Sequence, residues 1–362
     1  MSDSNQKIIK VLIVAPSAPL IGGQAVQATR LIEKFRQEEN LQVDLQPINP
    51  QFFPSLQKIK YLRTIITELK YIFDLFAKIP RYDVIHIFSA SYFSFVLAPT
   101  PAVLIAKLFG KKTILNYRSG EAEDHLQKWR RSVIPTIRLF DKIVMPSGYL
   151  VDVFAKFDLK AESIFNFVNT QNYRFRQRNL LRPVFLSNRN FEPLYNVACT
   201  LRAFALIQER IPEAKLIIAG DGSEKDKIHR LAKELNLKNV EFLGRVSPDE
   251  MPELYDQSDI YLNSPNIDNM PNSVIEAFAA GTAVVSTNAG GIPYIVENGE
   301  TGLLTEVNDH ADLARQALCL LENDDLAKKI IAKAHENCVK YFWEKVRGQW
   351  LTLYSELAKK EK

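Results

Sequence analysis

Short apolar runs alternate with longer amphipathic stretches along most of this chain. Runs at 10–16, 43–47, 84–88, 112–117, 142–146 and 163–167 have the length and character of buried strands. Between them, 24–36, 56–78, 93–109, 125–140 and 149–157 repeat their apolar positions at helical spacing. A polar, basic stretch at 170–183, TQNYRFRQRNLLRP, interrupts the pattern and reads as a linker. The alternation then restarts, with strands at 184–187, 215–219, 240–243, 260–263 and 283–286 and helices at 196–211, 224–235, 248–255 and 272–280. Strands apolar on both faces and separated by helices predict parallel sheets covered on both sides.

The expected architecture is therefore α/β, with two doubly wound, Rossmann-like domains in tandem. Their expected bounds are 1–175 and 181–340. A closing helix within 341–362, with aromatic anchors in YFWEKVRGQWLTLYSEL, is expected to pack back across the domains. Ligands of open parallel sheets bind beyond the carboxyl ends of the strands, so a deep inter-domain cleft is the expected site. Residues that directly follow strands become the candidates: Gly22 and Gly23, Arg118, Arg189, Asp221 with Gly222, and Gly244 with Arg245.

Composition narrows the function classes. With 46% hydrophobic and 24% charged residues in 362, disorder is not indicated. Cys199, Cys319 and Cys338 are too far apart for a cysteine-built metal site and fit a reducing compartment. The first ten residues lack a signal pattern, and Pro99, Pro101 and Lys107 break the longest apolar run, so a cytoplasmic protein is expected. Residues 1–180 carry 25 Lys and Arg against 15 Asp and Glu, a balance of +10, whereas the remainder carries −6. A basic first half suits an anionic partner. Basic amphipathic stretches at 56–81 and 127–140 suggest peripheral binding at the inner, anionic membrane face, with an ordinary surface helix as the alternative. No nucleic-acid module is recognisable. No G-x-G-x-x-G follows the first strand, which argues against a nicotinamide enzyme.

The sharpest chemistry lies in 268–302. Glu276 sits in the predicted helix 272–280 among Val274, Ile275, Ala277 and Phe278, where an ionised carboxylate is costly without a partner. Pro271 opens that helix, and the N–H groups near Asn272 and Ser273 suit an anion such as a diphosphate. Asp268 precedes it, and a carboxylate is a good acceptor for ribose or sugar hydroxyls.

The pattern D268-x7-E276 before AFAAGTAVVSTNAGGIPYIVENGETGLL resembles the signature of retaining GT-B glycosyltransferases of family 4. KLIIAGDGSEKDKI and VEFLGRVSPDEMPELYDQSDIYLNSP resemble the donor-domain segments of that family, and VLIVAPSAPLIGGQAVQATRL its N-terminal loop. The resemblance implies a GT-B fold and metal-independent, retaining transfer of a sugar from a nucleotide-diphosphate sugar to a sugar or lipid-linked acceptor. No cofactor is implied, and polysaccharide or glycolipid synthesis is the expected setting. Glu276 would bind the ribose, Asp268 the transferred sugar and Arg189 the leaving diphosphate. Asn272, Ser273, Met270, Arg245, Gly222 and Tyr195 would complete the donor site. Tyr195 stands where the family usually has Lys, and Asp268 is one methylene shorter than the usual Glu. Arg118 and His125 are both candidates for a positive charge where many members carry His. Gly22, Gly23 and Glu121 join His125 as acceptor or phosphate-loop candidates. A catalytically weakened sugar-nucleotide-binding subunit and a GT-B-like epimerase are the alternatives.

Overall fold

The computed structural model describes residues 8–17, 23–51, 60–168 and 172–359. The chain divides into two compact units, one of 1–165 with 347–362 and the other of 166–346.

In the first unit the strands are β1 (Ile9–Ala15), β2 (Leu41–Pro47), β3 (Val84–Ser89), β4 (Lys112–Tyr117), β5 (Lys142–Met145) and β6 (Glu162–Ser163). They form one parallel sheet in the order β2-β1-β3-β4-β5-β6. The helices are α1 (Gly23–Phe35), α2 (Lys60–Lys78), α3 (Phe93–Leu97), α4 (Pro99–Leu108), α5 (Ala122–Lys128), α6 (Arg130–Ile137) and α7 (Gly148–Ala155). Three expectations change. The single helix at 93–109 is broken at Ala98, because Pro99 has no N–H and Pro101 follows it. The helix at 125–140 is two helices joined at Trp129. The strand at 163–167 shrinks to β6, after which Ile164 still donates to the Met145 carbonyl.

His86, inside β3, is fully buried and engaged on both ring nitrogens, by Tyr354 Oη at 2.7 Å and Asn116 Nδ2 at 3.0 Å. Burial, with Arg118 nearby, holds its pKa down at about 3. Tyr354 and Trp350, which stacks on His86, come from the closing helix α14 (Trp343–Ala358), numbered last in the chain. Aromatic anchors at helical spacing thus dock that helix on the first sheet.

The second unit contains β7 (Val184–Ser187), β8 (Lys215–Ala219), β9 (Val240–Gly244), β10 (Ile260–Asn263), β11 (Ala283–Thr287) and β12 (Leu303–Thr305). Its parallel sheet has the order β12-β11-β10-β7-β8-β9, so the chain reverses direction across the sheet between β7 and β10. Its helices are α8 (Val197–Arg210), α9 (Lys225–Glu234), α10 (Met251–Gln257), α11 (Asn272–Ala280), α12 (His310–Glu322) and α13 (Asp324–Cys338). The sequence reading did not name β12, α12 or α13. Asp309 and Asn323 cap the two helices by accepting from Asp312 N and Leu326 N, and those caps were the available signal.

The basic stretch read as a linker belongs to this unit's core. Asp259, fully buried at the start of β10, accepts from the guanidinium groups of Arg176, Arg178 and Arg182 and from the Arg182 N–H. Arg178, also buried, donates further to the carbonyls of Tyr255, Ser258, Ala280 and Gly281. It therefore ties the end of α10, the start of β10 and the end of α11 together, with its charge paired and its donors used. Gly281, at φ +71°, closes α11 in the left-handed conformation, and a Cβ there would lie 2.7 Å from the Arg176 carbonyl.

Burial would raise the Asp259 pKa, but its bonds to Arg182 and Arg178 outweigh that and hold it at about 2. Its stabilising contribution is therefore whole above the unfolded-state value near pH 4 and is lost as pH falls through about 2. Asp259→Ala leaves Arg178 buried without a counter-charge and should cost about 3–5 kcal/mol in urea unfolding at neutral pH. The same substitution should flatten the fall in stability between about pH 4 and pH 2, and an unchanged acid limb would contradict the clamp.

Candidate functional site

The reversal point between β7 and β10 gathers the candidate residues of the second unit. Beyond β7 the chain delivers Asn188 and Arg189; beyond β10 a loop carries Asp268 to Pro271 into α11. Two pairs of glycines allow these segments to approach. A Cβ on Gly290 would fall 2.2 Å from the Asp268 carbonyl, and one on Gly291 only 1.8 Å from that of Asn269. Gly291 N donates to the Asp268 carbonyl across this contact at 2.9 Å. On the other side, a Cβ on Gly220 would meet the Arg189 carbonyl at 2.2 Å, and one on Gly222 the Phe191 carbonyl at 2.6 Å. Glycine is required at these positions because backbone packs directly on backbone.

Arg189 is the centre of the arrangement. Its side chain is only 10% exposed and forms an ion pair with Asp268, through Nη2 and Oδ2. Nη1 donates to Ser273 Oγ at 3.2 Å, and the guanidinium carbon lies 4.0 Å from the Tyr195 ring centre. Burial works against the guanidinium charge, but the Asp268 carboxylate prevails, and its pKa lies above the ordinary arginine range. Tyr195, where the resemblance anticipated Lys, thus supplies an aromatic face to the arginine.

Glu276 is 7% exposed, in a helix whose residues from Ser273 to Ala280 are all buried. The sequence left it without a protein partner, but the fold provides one. Tyr255, fully buried on α10, directs its hydroxyl at Glu276 Oε2, 3.3 Å away, and at the Ser273 carbonyl, 2.9 Å away. That hydroxyl in turn accepts from Asn188 Nδ2 at 2.8 Å. Burial, then the Glu276 carboxylate, push the Tyr255 pKa well up, so it remains a donor. Tyr255 and Asn188 were missed from sequence because α10 and α11 meet only in space. Asn166 was missed for the same reason: its Nδ2 donates to the Met270 carbonyl and to Asn272 Oδ1, each at 3.1 Å.

Buried polar atoms without a hydrogen-bond partner among the described residues collect here: Ser187 Oγ, Asn188 Oδ1, Arg189 Nε and Asn263 Oδ1. Such atoms are uncommon in folded proteins, and four at or just beyond the carboxyl ends of β7 and β10 suit a polar ligand. Gly222 and Arg245 lie at the ends of β8 and β9. There the exposed Arg245 pairs with Asp221 at 3.3 Å, and Gly222 N donates to Asp221 Oδ1 at 3.0 Å.

In the first unit, Gly22 lies outside the described residues, and Gly23 begins α1 with open space where a side chain would stand. Arg118, just past β4, is half-buried over the Phe88 ring and donates to Asn116 Oδ1 at 3.3 Å. Burial lowers its pKa to about 9. The exposed Glu121 accepts from Ser91 Oγ at 3.5 Å, and Ser91 meets Ser119 at 3.1 Å. His125 is fully buried, bonded to Tyr117 Oη at 2.9 Å and ringed by Tyr92, Phe95 and Trp129. Burial lowers its pKa to about 4, so it is neutral near pH 7. Of the two sequence candidates for a positive charge, Arg118 carries one and His125 does not; His125 is buried and neutral, with its Nε2 unpartnered among the described residues.

Residues 169–337 match the family model described as glycosyl transferases group 1. N-acetyl-alpha-D-glucosaminyl L-malate synthase of Bacillus anthracis is 30% identical over 212 residues, covering 56% of this chain and 55% of that protein. Phosphatidyl-myo-inositol mannosyltransferase of Mycolicibacterium smegmatis is 28% identical over 49% of this chain and 46% of its own length. The chain thus spans about half the length of these curated relatives. Among solved structures, Anabaena HepE in complex with UDP-glucose superposes with a TM-score of 0.77 at 16% identity, over 96% of this chain and all of that one. Sucrose-phosphate synthase from Thermosynechococcus elongatus gives 0.76 at 17%, over 96% and 99%. Two parallel six-stranded sheets and these likenesses agree on the GT-B fold, and the match to the glycosyl transferases group 1 falls on the unit that holds Arg189 and Glu276.

Proposed function

We propose that this protein transfers a sugar from a nucleoside-diphosphate sugar to an acceptor hydroxyl, retaining anomeric configuration and needing no metal. The observation that carries the proposal is a buried, charged Arg189 at the sheet reversal point, facing Asp268 and the first turn of α11. A UDP-sugar donor is the first choice, since HepE was captured with UDP-glucose.

In this reading the 166–346 unit is the donor domain. Glu276, oriented by Tyr255, accepts from the ribose hydroxyls, and the diphosphate lies against Arg189, Ser273 and the opening of α11. Arg189 and Asp268 satisfy one another in the chain alone. Donor binding exchanges partners: the diphosphate takes over the guanidinium, and the Asp268 carboxylate turns to the hydroxyls of the sugar. As the bond from the anomeric carbon to the diphosphate breaks, negative charge grows on the leaving oxygen, and Arg189 stabilises it. Arg118, Glu121 and Ser91 in the first unit receive the acceptor. The relatives act, by their names, on a malate and a phosphatidyl-inositol, so a small polar or lipid-linked acceptor at the inner membrane face fits. A donor-binding subunit without turnover is the second reading, favoured by the aromatic ring of Tyr195 where a second cation was anticipated.

Incubation with common nucleotide sugars tests the proposal. Slow nucleotide release and thermal stabilisation by the donor are expected. Stabilisation without release would favour the subunit reading, and neither response would sink both. Glu276→Ala should weaken nucleotide binding about 10- to 100-fold by titration calorimetry. Arg189→Ala should lower kcat about 100- to 1,000-fold. Near-native behaviour of either folded variant contradicts these roles. Tyr255→Phe should raise the donor KM about tenfold with kcat little changed, since it loosens only the orientation of Glu276. A loss confined to kcat would reject that role.

A further inference from the structure

Helix α2 buries Tyr71 and Leu75 against the first sheet, yet it turns a second apolar arc to solvent. Ile65 (58% exposed), Leu69 (64%), Phe73 (72%) and Phe76 (44%) share that arc at helical spacing. The arc does not end with α2. The Phe76 ring meets Phe109 edge-on at 6.1 Å, and α4, which leads to Phe109, exposes Leu104 (52%) and Leu108 (70%). Before α4, the short α3 begins with exposed Phe93, whose ring stands against Trp129 at 5.1 Å. Isolated exposed apolar residues are ordinary, whereas a continuous strip across neighbouring helices marks an interaction surface.

Charge selects the occupant. On α2, Arg63 and Lys70 lie along the arc next to the exposed apolar residues, and Lys78 closes the helix. Arg130 and Arg131, both exposed, directly follow Trp129. Carboxylates are present: Asp74 pairs with Lys70 at 3.3 Å and Asp141 with Lys107 at 2.7 Å. Glu68 on α2 is a third, but residues 1–165 of this unit carry 22 Lys and Arg against 15 Asp and Glu, so the balance stays basic at +7. A strip of Leu, Ile and Phe bordered by Arg and Lys complements the acyl boundary and headgroups of an anionic bilayer. Two copies of this face would instead bring like charges together. Among the described residues no helix is long and apolar enough to cross a membrane, which fits a helix pair lying in the interface.

We infer that the exposed apolar face of α2 and α4 docks the protein on an anionic membrane surface, with α2 lying in the interface and its basic residues on lipid headgroups. This deepens the proposed function only by placing the enzyme where a lipid-linked acceptor resides; docking itself requires no donor and no turnover.

The test is co-sedimentation of the full chain with vesicles of phosphatidylcholine alone and with about one-third phosphatidylglycerol added. Binding to the anionic vesicles is expected, falling as salt rises. The double variant Leu69→Glu with Phe73→Glu should lose about tenfold or more of that binding. Both side chains are exposed, so its melting temperature and its nucleotide-sugar hydrolysis in solution should match the parent. No binding at low salt overturns the inference, as does equal binding by the double variant. A dimer seen by light scattering that the double substitution dissolves would assign the face to a second copy instead, and would also overturn it. Each of these failures leaves donor hydrolysis, and with it the proposed function, to stand or fall separately.

Discussion

A guanidinium removed from water must be paired, and that constraint shapes the working end of the second unit. Arg189 follows β7 so closely that its backbone touches Gly220, while its side chain reaches Asp268 on the far side of the reversal point. To deliver the carboxylate, the loop after β10 must pass against the 290–291 turn, which only glycine permits. The Tyr195 ring covers the guanidinium, and Ser273 takes its remaining Nη1 hydrogen bond. One buried charge thus fixes the mutual position of three loops and the first turn of a helix. In the proposed reading an anionic leaving group takes the place of Asp268 on this cation.

A second buried charge sets the other end of the same helix. Arg178, held by Asp259, donates to the carbonyls that close α11 against β10, so the helix is pinned at both termini. Pinning matters for Glu276, which lies between them and can be oriented by Tyr255 only if α10 and α11 keep their register. The stability of the unit and the geometry of its candidate site therefore share a framework. Damage to the clamp should reach Glu276 without touching any atom near it.

Much of this was legible beforehand because parallel strands are apolar on both faces and stand out as runs. Even α11 was bounded correctly at 272–280, since Pro271 and Gly281 are start and stop signals. Legibility failed where the controlling contact is remote. Arg176, Arg178 and Arg182 read as a linker because their partner, Asp259, stands 77 to 83 residues away. Tyr255 closes the helix expected at 248–255, and nothing local marks it as the partner of Glu276. His125 was named from the resemblance alone, and its packing against Tyr92, Tyr117 and Trp129 is visible only in space. Arg189 and Asp268 were each singled out, but their pairing was not, because it joins residues 79 apart in sequence.

The first unit adds a different kind of information, since its outward apolar strip serves no purpose in a core. The central claim nonetheless rests on the second unit and is open to one direct observation. A crystal structure with UDP bound should place the ribose hydroxyls within about 3.2 Å of the Glu276 carboxylate and the diphosphate on Arg189, with Asp268 turned away from it. A nucleotide seated elsewhere, or a ribose remote from Glu276 with the Arg189–Asp268 pair intact, would contradict the account.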